Sequence, residues 1–289
     1  MSEVSAKDYF LWEKKQLLKG GDKHSLSLLL ELKGGISHDE LNLKRLTLEG
    51  SLCLKESLDF IESIWENHLN DSVPIQYLCG FCFWRNLKLI VSEKVLIPRP
   101  ETELIIEIVN KLFKEKSQKL LFAELGTGSG AISIAIALEH PLWEGIATDI
   151  DKNVLDVAEL NFKNCSNQSN LKFFCGNWWN PLELFKGKLD LVISNPPYIP
   201  KNTYQNLPKE VKNYEPKIAL LGGDDGLDHI REIIHLAPLY LKEKGWMIIE
   251  NHFDHGEKVR QIYIDNGFKS VEVLNDFSGV GRFTIGRYK

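Results

Sequence analysis

The sequence predicts an α/β fold: a doubly wound, mostly parallel seven-stranded sheet, preceded by a small N-terminal helical bundle and a β-hairpin linker. Strand-like and helix-like runs alternate from Pro98 onward, and such alternation lays strands parallel through helical crossovers. A glycine-rich turn, Gly126 to Gly130, stands directly between an apolar strand-like run and a clean helical one. In an open α/β sheet that context marks the carboxyl edge, where ligands sit. Residues 5–70, by contrast, carry helical periodicity. The expected domains are a helical unit over 1–72, a linker over 73–97 and an α/β unit over 98–289.

The elements follow in order. Tyr9, Leu11, Trp12, Leu17 and Leu18 recur at near-helical spacing, and Gly20-Gly21 ends that segment. Ser25 to Leu32 reads as a leucine-rich helix closed by Gly34-Gly35. Ser37-His38-Asp39-Glu40 fits a capping box, with Ser37 as N-cap and Glu40 at the third helical position. Leu58, Ile61, Ile64, Trp65 and Leu69 form the stripe of a fourth helix. From Pro74 the texture becomes β: Tyr77–Phe81, then Leu87–Val91, predict a hairpin. Cys79 and Cys82 form a CxxC pair, but no second ligand pair or helix N-terminus accompanies them, so they read as ordinary strand cysteines. Helices are then expected near Glu101–Lys116, Ala131–Glu139, Asn153–Asn164, Asp228–Leu241 and Glu257–Asn266. The seven strands are Leu120–Glu124, Gly145–Asp149, Leu171–Cys175, Leu189–Ser194, Trp246–Glu250, Val271–Leu274 and Arg282–Gly286, the closing pair antiparallel.

Composition narrows the class. The chain has 289 residues, 43% hydrophobic and 10% aromatic, the proportions of a globular protein with room for a large and a small domain. No apolar run reaches membrane length. Met1 to Phe10 carries Glu3 and Asp8 with no basic stretch ahead of an apolar one, so no signal peptide is expected. Five irregularly spaced cysteines suit a reducing, cytoplasmic setting. A net charge of -5 and a pI near 6.0 argue against tight binding to bare nucleic acid. A monomer is expected.

The most informative stretch is Asn195-Pro196-Pro197-Tyr198, at the end of the run Leu189–Ser194. Consecutive prolines lack backbone N–H groups and cannot extend a central strand. The strand must stop there, leaving the carbonyls of Asn195 and Pro196 without ladder partners beside a side-chain amide. A rigid turn of that kind can grip an NH2 group, although in isolation it is equally a stiff loop.

The glycine turn decides between these. Gly126, Thr127, Gly128, Ser129 and Gly130 let the backbone approach a ligand closely, and the following helix aims unpaired N–H groups at it. Gly126, Gly128 and Ala131 also match a dinucleotide fingerprint, and Asp149, ending the next strand, would bond ribose hydroxyls whether the nucleoside were NAD or S-adenosylmethionine. Glu124, just before the glycines, would repel a pyrophosphate and attract an ammonium. Asn177 and Trp178 could offer an amide and an apolar wall to an adenine ring, with core packing the plain alternative for Trp178 and Trp179.

With these pieces in order the chain resembles the class I S-adenosylmethionine-dependent methyltransferases, and within them the HemK/PrmC family, the release-factor N5-glutamine methyltransferases. The resemblance covers nearly everything from Pro74 on: PIQYLCG (Pro74–Gly80), LIPRPETE (Leu96–Glu103), ELGTGSGAI (Glu124–Ile132), SNPPYI (Ser194–Ile199), EP..AL.GG.DGL (Glu215–Leu227) and SGVGRF (Ser278–Phe283). It implies S-adenosyl-L-methionine contacts at Gly126–Gly130, Asp149 and Trp178, and S-adenosyl-L-homocysteine as product. It also implies a glutamine clamp at Asn195, Pro196, Pro197 and Tyr198, and a helical N-terminal domain that helps position a release factor, whose GGQ loop carries the target. One departure stands out. The family's Glu-hydrophobic-Gly-x-x-Gln run is here Glu250-Asn251-His252-Phe253-Asp254-His255-Gly256. His252 and His255 lack a third ligand in the sequence pattern and read as surface residues rather than a metal site. Arg99 and Glu101 are a candidate ion pair.

The expected mechanism needs no strong base. The Asn195 side-chain oxygen and the Pro196 carbonyl would each accept one N–H of the substrate amide, aiming its lone pair at the methyl carbon, while the Tyr198 ring packs on the amide plane. A DNA amino-methyltransferase poses the same hydrogen-bonding problem but needs base flipping and an electrostatic hold on the strand, which the acidic balance opposes. An NAD-dependent oxidoreductase would account for the glycines and Asp149 and leave the double-proline turn without a purpose.

Overall fold

The computed structural model describes residues 2–115 and 117–289, in two compact units: residues 2–82 with 209–214, and residues 83–208 with 215–289. The first unit holds β1 (Ser2–Ser5), α1 (Ala6–Lys19), α2 (Lys23–Leu29), α3 (His38–Thr47), β2 (Ser51–Leu54), α4 (Leu58–Asp71) and α5 (Ile75–Cys79). Side-chain oxygens of Ser5, Asp22, Ser37 and Ser57 accept from backbone N–H groups of the first turns of α1, α2, α3 and α4, satisfying donors that helix geometry leaves orphaned. The expected cap at Ser37 is among them.

The core face of α1 differs from the predicted stripe. Leu11 and Leu18 are exposed, while Glu13 and Gln16 are buried with Tyr9. Glu13 is tolerated inside because Arg45 grips both its oxygens at 2.8 Å, a paired charge rather than a bare one. An antiparallel β1–β2 ribbon also stands in the region read as helical, with side-chain burial alternating along Ser51 to Leu54. Tyr77 to Cys79, expected as strand, close the short helix α5, with Gly80 at φ 79 as its left-handed cap. The hairpin follows as β3 (Phe81–Trp84) and β4 (Leu87–Ile90). Burial pushes the Cys79 and Cys82 thiols up to about 11 and about 12, the opposite of a reactive pair.

In the second unit a 3₁₀ turn at Pro100–Glu103 runs into α6 (Leu104–Leu112), so the predicted helix stops early, and Lys116, its expected end, lies outside the described residues. There follow β5 (Leu121–Leu125), α7 (Ala131–Glu139), β6 (Glu144–Asp149), α8 (Lys152–Cys165), β7 (Leu171–Cys175) and β8 (Leu189–Ser194). The stretch expected as loop contains α9 (Lys201–Tyr204) and, within the first unit, α10 (Lys209–Tyr214). The chain closes with α11 (Asp228–Leu236), β9 (Leu241–Glu250), α12 (Gly256–Asp265), β10 (Lys269–Asn275) and β11 (Gly281–Arg287).

The seven strands lie in the order β10-β11-β9-β8-β5-β6-β7. Five central and edge strands are parallel, while β11 runs antiparallel to both β9 and β10, as expected. Parallel strands covered on both faces are apolar throughout; β5 and β8 are buried for nearly their whole length and β9 from Met247 to Glu250. Helix α7 is buried from Ala131 to Ala137; each fully buried isoleucine there contributes roughly 1.5–3 kcal/mol. Because β5 leads rightward to β6 while β8 returns on its other side, the sheet has its switch point between β5 and β8. Leu125 pairs with Ser194 across that point, and the Ser194 hydroxyl donates to the Leu125 carbonyl at 2.7 Å. The glycine turn and the double-proline turn therefore emerge side by side.

Candidate active site

The turn after β5 takes its shape from glycine. Gly126, Gly128 and Gly130 all have positive φ, and the N–H groups of Gly126 and Thr127 both donate to the Thr148 carbonyl, at 2.9 and 2.8 Å. A Cβ on Gly126 would stand 3.0 Å from the Trp178 ring, and one on Gly130 would stand 2.9 Å from Ile134 and 3.2 Å from Ala158. Gly126 thus admits the indole, while Gly130 lets α7 pack on α8 and does not line the cavity. Buried Asn161 ties the arrangement to β4: it accepts from Ile90 N at 2.7 Å and donates to the Ser129 carbonyl at 2.9 Å.

Glu124 lies beneath this turn, 1% exposed. One of its oxygens accepts from the Thr127 hydroxyl at 2.7 Å, from Ser133 N at 3.0 Å, and from the Ser133 hydroxyl. Burial pushes its pKa up to about 7, with the hydrogen bonds opposing. It braces the turn and also lines the cavity. Asp149 closes β6, accepting from Gly128 N at 3.0 Å and Asp151 N at 3.2 Å; burial raises its pKa. Trp178 holds a left-handed backbone at φ 42, a strained conformation for a bulky residue that places its ring over Gly126 and 5.5 Å from His229. Trp179 is the core residue of the pair, stacked on Tyr240 at 4.4 Å. Asn177 stands on the exposed rim, its amide 3.4 Å from Glu232.

After β8, no donor among the described residues reaches the carbonyls of Asn195 and Pro196. The Asn195 amide nitrogen donates to the Thr102 hydroxyl at 3.4 Å. Tyr198 turns its hydroxyl inward, donating to Glu250 at 3.1 Å, and burial beside that carboxylate raises its pKa. Arg99 pairs with Glu215 at 2.6 Å rather than with the expected Glu101. Glu215 wins because its side chain is buried, at 1% exposure, and brings its carboxylate to the guanidinium. That contact joins the LIPRPETE and EP..AL.GG.DGL segments.

These elements enclose a cavity of about 370 Å³, within the usual range of small-molecule sites. It is lined by Glu124, Gly126, Thr127, Gly128, Ser129, Asp149, Asn177, Trp178, Asn195 and Pro197 among the expected residues; Gly130, Pro196 and Tyr198 stand behind or beside it. Sequence reasoning missed Thr102 and Glu250 as site residues. Both lay inside quoted motifs, but nothing local signals that a threonine of one turn will meet a glutamate 148 positions away.

His255 is not a surface residue: it is 2% exposed, and burial lowers its pKa. His252, Asp254 and His255 place their donor atoms within 4.8 Å of one another, so Asp254 is the third donor the sequence pattern lacked. The His252–Asp254 separation of 2.5 Å is that of a hydrogen bond, shorter than two ligands at about 2.0–2.2 Å from one ion would show.

A seven-stranded sheet whose glycine turn and double-proline turn end adjoining strands at one cavity, together with its family match, places the chain among the methyltransferases. The Methyltransferase small domain model matches residues 101–210. Solved structures share the fold: a methyltransferase from Pyrococcus furiosus (TM-score 0.51, 18% identity, 70% of this chain and 89% of that one) and the hMettl16 catalytic domain (TM-score 0.56, 15% identity, 79% and 80%). The chain is 40% identical over 282 residues, 97% of its length and 96% of its relative's, to the release factor glutamine methyltransferase of Prochlorococcus marinus. It is 36% identical to that of Thermosynechococcus vestitus over 88% and 87% of the two chains, and 39% identical to that of Coxiella burnetii over 74% and 75%. The chain belongs to the release factor glutamine methyltransferase family.

Proposed function

We propose that this protein methylates the side-chain amide nitrogen (N5) of the glutamine in the GGQ loop of peptide chain release factors, using S-adenosyl-L-methionine. One observation carries the reading: the glycine turn and the Asn195–Tyr198 turn end adjacent parallel strands at one cavity. S-adenosyl-L-methionine, when bound, supplies an electrophilic methyl group on a sulfonium and leaves as S-adenosyl-L-homocysteine. The donor set suits it. Asp149 offers a partly buried carboxylate for ribose hydroxyls, Trp178 an apolar wall for the base, and Glu124 a buried carboxylate that a cation would favour.

A glutamine amide is a weak nucleophile because its nitrogen lone pair is delocalised, so the protein's contribution is orientation and charge stabilisation. Asn195 Oδ1 and the Pro196 carbonyl each accept one N–H of the substrate amide, turning its lone pair toward the methyl carbon. Positive charge developing on nitrogen is met by these two acceptors, and one N–H proton passes to solvent water after transfer. Pro197 keeps the turn rigid. Tyr198 supports the turn from behind through Glu250. Residues 1–72 serve as the docking domain for the release factor, the hairpin as its linker, and the protein works as a cytoplasmic monomer.

Mass spectrometry of a release factor incubated with the protein and S-adenosyl-L-methionine tests the reading: one added methyl on the GGQ glutamine is expected. Duplex DNA offered in parallel should stay unmodified; labelling of adenine instead would transfer the grip to an exocyclic base amine.

A further inference from the structure

We infer that Glu250 is a positioning residue for methyl transfer, acting through Thr102 to fix which end of the Asn195 carboxamide faces the substrate. The inference rests on Asn195 being the amide grip.

An asparagine amide is nearly symmetric in shape, yet only its oxygen can accept a substrate N–H. Something must hold the oxygen outward. Glu250, at the end of β9, is 1% exposed and lies behind the turn. Thr102 Oγ1 donates to its Oε2 at 2.7 Å, and the Tyr198 hydroxyl donates to its Oε1 at 3.1 Å. A carboxylate only accepts, so the single hydroxyl proton of Thr102 is committed to Glu250. The Thr102 oxygen can then only accept, and what it accepts is Asn195 Nδ2, at 3.4 Å. Asn195 must therefore present its NH2 inward and its oxygen to the cavity. The polarity of the grip is set two hydrogen bonds away.

The arrangement has a protonation condition. A protonated Glu250 could donate to Thr102, freeing the threonine proton for Asn195 Oδ1 and reversing the chain. The groups facing Glu250 are Tyr198 from the turn after β8, Thr102 and Glu101 from the 3₁₀ turn, and Arg282 from β11; burial raises its pKa to about 7, with Arg282 opposing and Glu101 adding.

The test combines kinetics of methyl transfer to a release factor with a readout independent of turnover, the Asn195 side-chain NH2 resonances, assigned by their loss in Asn195→Asp. Thr102→Val should lower kcat roughly 10- to 100-fold, the cost of losing orientation at a reacting group, while the calorimetric Kd for S-adenosyl-L-methionine stays within about threefold. Thr102→Ser, which restores the hydroxyl, should recover most of the rate. At saturating cofactor, kcat should fall as the pH drops below about 7, and that limb should vanish in Thr102→Val. The Asn195 NH2 signals should shift and exchange faster in Thr102→Val. Wild-type kcat in Thr102→Val, or unmoved NH2 signals, would overturn the inference, as would a rate loss matched by lost cofactor affinity and not recovered by serine. A wild-type enzyme that leaves the release factor unmodified while Thr102→Val still moves the NH2 signals would remove the substrate assignment and leave the positioning role.

Discussion

The two turns that make the site each rest on a buried carboxylate, yet they are built in opposite ways. The glycine turn is soft in sequence, and Glu124 braces it with neighbours three and nine positions away, Thr127 and Ser133. The Asn195–Tyr198 turn is stiffened by its own prolines, and Glu250 braces it with partners 52 and 148 positions away, Tyr198 and Thr102. Burial lifts both carboxylates to about 7. The difference is that the glycine turn is braced by a carboxylate of its own strand–turn–helix segment, while the Asn195–Tyr198 turn depends on three distant segments meeting correctly.

That contrast can be broken by substitution. The largest effect should come from Asn195→Ala: kcat should fall by about 10²- to 10³-fold, the scale of removing one stabilising partner from a reacting centre. Cofactor affinity should barely move, as labelled methyl transfer and calorimetry would show; an equal loss of affinity would mean the two turns do not divide the work. Next, Asp149→Ala should raise the Kd for S-adenosyl-L-methionine roughly 10- to 100-fold, the range of a lost charge-assisted hydrogen bond, with kcat at saturation little changed. Unchanged affinity would remove Asp149 from the ribose role. Gly126→Ala should weaken cofactor binding by about tenfold, because the residue holds φ 75 and a Cβ would press on Trp178 at 3.0 Å; strain of that kind costs on the order of 1–2 kcal/mol.

Smaller effects sharpen the comparison. Glu124 has a raised pKa, about 7, and a bound cation favours its carboxylate form. Cofactor affinity is then full above pH 7 and declines as the pH falls below it, by at most about tenfold per unit. Calorimetry in buffers of different ionisation enthalpy should detect proton release near neutral pH, and Glu124→Gln should flatten the profile. Tyr198→Phe removes one of two donors to Glu250 while keeping the ring, so a loss in kcat of only about threefold, less than one net hydrogen bond, is expected. A loss as large as that of Thr102→Val would show that both donors set the polarity of the grip.

Much of the fold was legible because the sheet is local in its signals. β7 and β8 and helix α7 were readable to the residue, since apolar runs and a glycine turn declare themselves within a few positions. The β1–β2 ribbon was not, because four alternating residues are too short to outweigh flanking helices. Helix α1 misled through Leu11 and Leu18, which are exposed, while Glu13 is buried against Arg45 of α3. The Arg99 partner was misassigned for the same reason: Glu101 is near in sequence, but Glu215, 116 positions on, is near in space.

By itself the sequence determined the α/β alternation, the glycine turn, the strand-ending prolines and Asp149, because each acts through backbone geometry or an element's own end. Only the tertiary structure decided that Trp178 faces the cavity while Trp179 fills the core, and that Arg99 meets Glu215. It alone joined Thr102, Asn195, Tyr198 and Glu250 into one directed hydrogen-bond chain. Hydrogen-bond direction is a property of groups brought within about 3 Å, and no spacing along the chain encodes it.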